Sequence, residues 1–162
     1  MIRAGKHLML FVLVGVAQLS LTLRQAPVAA QTLPGKHPGY MHALSDLRAA
    51  RWLLYHQPGD PKVYAGEDVA ISEVDAAIAE IKKASIDDGK NLNDHPALDV
   101  KEHGSRLLRA TETLHRAKDD VDSEEDNPEA RGLRHRAEEH IQRAIDAANQ
   151  AHGEWLKDMG KR

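Results

Sequence analysis

The chain has 162 residues, 29% of them charged and 4% aromatic, with no cysteine and a formal net charge of −3. Its length suits one modest domain, and the lack of cysteine excludes disulfides, zinc–thiolate sites, thiol nucleophiles and C-x-x-C-H haem attachment. Alanine, leucine and long charged side chains favour close-packed helices over sheet, which prefers β-branched and aromatic residues.

The amino terminus has the n, h and c regions of a secretory signal: Arg3 and Lys6, then an apolar stretch over 8–23, then Val28 and Ala30 at −3 and −1 of a cut before Gln31. The apolar stretch carries Gln18, Ser20 and Thr22 and is short for a membrane span of roughly 20 residues. Residues 1–30 are therefore expected to be a cleaved signal peptide that leaves no stable membrane anchor. Cleavage removes Arg3, Lys6 and Arg24 from the 22 basic side chains and none of the 25 acidic ones, leaving a net charge of −6. That balance opposes nucleic-acid binding, which needs clustered cations. An exported domain without disulfides points to a bacterial periplasm or exterior.

Residues 31–38 form an expected leader, with Pro38 suited to the first turn of a helix. Over 40–55 the apolar residues Tyr40, Ala43, Leu44, Leu47, Ala50 and Leu54 recur at helical spacing. The run Gln57-Pro58-Gly59-Asp60-Pro61 ends that helix. A second helix is expected from Asp68, its stripe Ile71, Val74, Ile78, Ile81 and Ser85, stopping at Asp87-Asp88-Gly89. After a polar connector over 90–96, a third is expected over 99–123 along Val100, Leu107, Ala110, Leu114 and Val121. The fourth starts at Asn127, Pro128 and Glu129 and turns Ala130, Leu133, Ala137, Ile141, Ala144, Ala148, Ala151 and Trp155 inward. The expected fold class is all-α: an antiparallel up-down-up-down four-helix bundle over 39–158, with a short tail over 159–162.

Ten histidines, one of them in the signal, make metal or haem binding the first chemistry to test. A di-metal carboxylate bundle needs two Glu-x-x-His pairs facing inward. The single pair here, Glu112 and His115, lies roughly 150° and 90° from its helix's apolar centre. His42 and His135 also point outward, whereas His140 lies within roughly 50° of the inward face. It is expected to be a boundary histidine satisfied by a neighbour, with axial ligation as the alternative. If helices one and three ran the same way, His37, Asp94, His95 and His103 would gather at one bundle end as a Zn²⁺ or Cu²⁺ site. His37, Asp94, His95, His103 and His140 are thus the candidate metal residues, set against exposed or structurally paired histidines. The acidic run from Asp119 to Asp126 and the loop 87–91 lack calcium-loop spacing. Arg51 lies roughly 60° from the apolar centre of its helix and should need a carboxylate partner. There is no G-x-S-x-G, H-E-x-x-H or phosphate loop, so no enzyme is expected.

Three stretches, HPGYMHALSDLRAARWLL (37–54), ASIDDGKNLNDHP (84–96) and EEDNPEARGLRHRAEEHI (124–141), resemble small exported four-helix bacterial proteins without an established function. The resemblance implies export and a bundle and carries no active-site residue. The expectation is a non-catalytic binding or scaffold module with no cofactor, whose partner is a protein or a small ligand. The alternative is a periplasmic metal- or haem-binding bundle using histidines. An exposed Trp52–Leu53 patch would imply a homodimer.

Overall fold

A computed structural model describes residues 37–60, 62–83, 88–124 and 131–161. The expected signal peptide, most of the leader, and the start of the fourth helix at Asn127-Pro128 lie outside them. The described residues form α1 (Pro38–Leu54), α2 (Ala65–Lys83), α3 (His103–Asp122) and α4 (Arg131–Met159), with no strand among them. None of these helices is long and apolar enough to cross a membrane.

The core follows the apolar stripes. Leu44, Leu47 and Leu54 of α1, Val74, Ile78 and Ile81 of α2, Leu107, Leu114 and Val121 of α3, and Ile141 and Ala148 of α4 are buried together. Packing joins α1 to α2 and α3, and α4 to α2 and α3, so the four helices form a square in the order α1, α2, α4, α3.

End-to-end contacts fix the directions. Gly39 at the start of α1 lies against Asp120 and Glu124 at the end of α3, while Arg106 near the start of α3 reaches the carbonyls of Leu53 and Tyr55. On α2 and α4, Tyr64 meets Asp158, Glu73 meets His140 and Glu80 meets Arg136. On α3 and α4, Gly104 lies under Trp155. Neighbours in the square therefore run oppositely, while α2 and α3, on a diagonal, run the same way. This corrects the up-down-up-down expectation to up-down-down-up. The connection over 88–102 does not turn back at once; it returns along the length of the bundle. Its Leu98 and Val100 are half-buried against the core as irregular chain, and α3 begins at His103 instead of Asp99.

The caps explain the boundaries. Glu102 accepts hydrogen bonds from the amides of Gly104 and Ser105, which starts α3. Glu67 accepts from the Tyr64 amide at 2.8 Å, so α2 begins at Ala65 and not at Asp68. α1 is capped at both ends by groups on or beside α3. Glu124 takes the amides of Gly39 and Tyr40 at the positive end of the helix, and the Arg106 guanidinium takes the carbonyls of Leu53 and Tyr55 at the negative end. Both charges have the sign that the helix dipole favours.

Candidate functional site

Among the described residues two arginines are wholly buried, and each holds a loop. Arg48 forms a two-pronged pair with Asp88, both contacts 2.6 Å, and also donates to the Leu44 carbonyl at 3.1 Å. The carbonyl of Lys90 lies at 3.5 Å, so the start of the connector is fastened to the flank of α1. Burial pushes the Asp88 carboxyl up, but Arg48 and the Lys90 amide outweigh it and hold the group below the usual aspartate range. Arg106 pairs with Asp60 and donates to Leu53 and Tyr55 at 3.1 and 2.9 Å. Asp60 also accepts from the Gln57 amide at 2.9 Å. The loop 55–60 is thereby tied to α3. Burial raises Asp60, and the Gln57 amide and Arg106 together bring it below its ordinary value.

Beside this pair lies a buried imidazole. His103 Nε2 is 3.0 Å from Glu67, its Nδ1 is 3.8 Å from Asp60, and its ring meets Tyr64 edge-on at 5.7 Å. His103, Glu67 and Asp60 each expose 7% of their side chains or less.

Between the two fastened loops stands Trp52, half-buried on α1. On one side of it is a groove of about 550 Å³ whose lining includes Arg51, Tyr55, His56, Asn93 and His95. On the other is a groove of about 490 Å³ that reaches Asp60, Leu98 and Lys101. Each has a volume suited to a small organic ligand. His95 packs on Trp52 with ring centroids 4.8 Å apart, and its Nδ1 lies 2.7 Å from the Pro96 carbonyl. A carbonyl only accepts, so Nδ1 carries the proton, and Nε2 is the nitrogen left for another partner. Arg51 donates to Asp75 at 2.7 Å and to Asn93 at 3.2 Å, which gives it the carboxylate partner its position requires and steadies the connector.

The candidate metal residues are dispersed. His37 is at the start of α1, 2.9 Å from Glu124, whereas His103 is buried at the opposite end of the bundle. The two would meet only if α1 and α3 ran in the same direction, and they run oppositely. Asp94 accepts the Asn91 amide within the connector turn, and His140 on α4 bonds Glu73 at 2.6 Å. Asp94 and His95 alone share a surface, a shallow depression of about 360 Å³. Among the described residues no three histidine, aspartate or glutamate side chains converge as a metal site. His42, His115 and His135 are exposed, as their helix positions imply. The Trp52–Leu53 patch does not form, because Leu53 is buried.

Helix periodicity did not reveal Arg48, Asp60, Glu67 or Arg106. The available signal was a pair of arginines on the apolar edge, Arg48 four residues after Leu44 and Arg106 four before Ala110. No protein family, curated protein or solved structure matches the chain.

Proposed function

We propose that the chain is an exported, non-catalytic binding module whose recognition surface is the pair of grooves around Trp52. The observation that carries this reading is where the buried charge is used. The only two wholly buried arginines among the described residues hold irregular loops in place on either side of one half-buried tryptophan. Burying charge is costly unless it is well paired, and walls held in this way lose little freedom when a ligand arrives. Export rests on the n, h and c regions over 1–30, and the lack of cysteine fits a bacterial periplasm or exterior.

A protein-observed NMR fragment screen on the purified protein tests the reading. Hits should converge on the Trp52 indole signals and disappear with Trp52→Ala, while helicity by circular dichroism stays unchanged. Hits that ignore Trp52, or a screen without hits, would overturn it. Stoichiometric metal or a Soret band in the purified protein would favour the histidine-based alternative instead.

A further inference from the structure

We infer that the groove flanked by Arg51, Trp52 and His95 takes an aromatic acid, a planar ring carrying a carboxylate. The inference rests on the binding reading above and names the ligand class for one of the two grooves.

Charge gives the sign of the ligand. The lining of this groove includes Arg51, His56 and His95 and no aspartate or glutamate, whereas the groove across Trp52 has Asp60, Asp99 and Lys101. The two sides of one tryptophan therefore differ in electrostatic character. A carboxylate entering the first side meets two imidazoles and a guanidinium that Asp75 pairs from behind the lining, and no acidic side chain of the lining itself.

Hydrogen-bond capacity gives the binding atoms. Arg51 uses its Nε and one hydrogen on each terminal nitrogen on Asp75 and Asn93. Of the five N–H donors of the guanidinium two remain, one on each terminal nitrogen, and a carboxylate can accept from them. His95 is held by the Pro96 carbonyl through Nδ1, so Nε2 is the ring nitrogen left for a ligand, and it donates only when the imidazole is protonated. The side chain of His56 is 46% exposed, with Asp60 3.7 Å from its Nδ1. Gln57, by contrast, spends its amide hydrogens on the carbonyls of Trp52 and Tyr55 and is a wall and not a donor.

Shape gives the ring. The apolar lining holds two flat rings beside Pro58 and Leu92: the half-buried Trp52, in tilted contact with His95, and Tyr55, which is 57% exposed. Faces of this kind gain from offset or edge-on contact with another ring, while a flexible aliphatic chain would give up its rotamer freedom for less contact.

Isothermal titration calorimetry with three probes of one shape tests this on the full chain: 2-naphthoate, 2-naphthalenemethanol and 2-naphthylmethylamine. 2-Naphthoate should bind at least tenfold more tightly than the alcohol, and the amine should bind most weakly. Arg51→Gln should bring 2-naphthoate to the level of the alcohol and leave alcohol binding within twofold, which shows that the groove persists. His95→Gln, which keeps a donor but loses the ring on Trp52, should weaken the acid and the alcohol together. Equal binding of all three probes, or preference for the amine, would overturn the ligand class while the Trp52 groove stood. Binding by none of them would overturn the class as well, and the fragment screen would then decide the groove separately.

Discussion

Arg106 exposes none of its surface, yet three of its acceptors lie outside its own helix: Asp60 and the carbonyls of Leu53 and Tyr55. Replacing it with methionine keeps much of the volume but leaves a buried carboxylate without its guanidinium and the Leu53 carbonyl without its donor, while the Tyr55 carbonyl keeps only Gln57. Removing one partner of a buried pair costs about 3–5 kcal/mol, so Arg106→Met should lower unfolding stability in urea by about that amount. Arg106→Lys should fall between, because one ammonium cannot span acceptors set out for a planar fork. A methionine variant within about 1 kcal/mol of the parent would show that the pair does not hold the loop. The contrast with Arg51 explains what was legible at this scale. Arg51 sits at the edge of an apolar stripe, so its need for a carboxylate follows from one helix, and Asp75 meets it. The partners of Arg106 come from residues 53, 55 and 60, roughly fifty positions away in the chain. No helix wheel contains them.

Helices were legible where burial is periodic, and their ends where the cap is local. The inward face of α4 follows its alanines and Ile141, and His140 finds the neighbouring partner expected of a boundary histidine. α1 is different, since Glu124 and Arg106 cap it from another part of the chain. Close approach between elements gives two predictions of opposite sign. A β-carbon on Gly66 would lie 2.4 Å from the Ala147 carbonyl oxygen and 3.1 Å from the Ala151 side chain. The obstacle is backbone, so Gly66→Ala must push α2 off α4, and overpacking of about 1–3 kcal/mol should outweigh the helix propensity gained. Gly153 also lies within a helix, and a β-carbon there meets nothing within 4 Å. Gly153→Ala should therefore stabilise by about 0.5–1 kcal/mol through the restricted unfolded chain. Thermal melts should move down for the first and up for the second. Shifts in the same direction would contradict the packing described.

At the scale of the whole molecule, four helices could be counted from the sequence but their directions could not. The cause is the stretch over 98–102: Leu98 and Val100 pack on the core and so resemble the start of a helix, which hid the long return and reversed α3. The corrected topology leaves the ends of the bundle fastened by carboxylates, and that makes overall stability depend on pH. Asp60, Glu73, Asp88 and Glu102 are each pushed up by burial and brought below their ordinary values by basic partners or amides. Such groups bind protons less readily folded than unfolded. Their stabilisation is full above the ordinary carboxylate value of about 4 and is lost as pH falls through the lowered folded values. Asp120 and Glu138 act the other way, both raised chiefly by burial, so they take stability away as pH rises through their folded values. Glu80 and Asp158 are lowered as well, so among the described residues six carboxylates oppose two, and Asp60 and Asp88 belong to the buried arginine pairs. The urea midpoint should therefore fall steadily below about pH 4. Asp88→Asn should start lower at neutral pH and lose less on acidification, since its share is already gone. A midpoint that rose in acid would mean that Asp120 and Glu138 dominate, and that the paired carboxylates do not fasten the bundle ends.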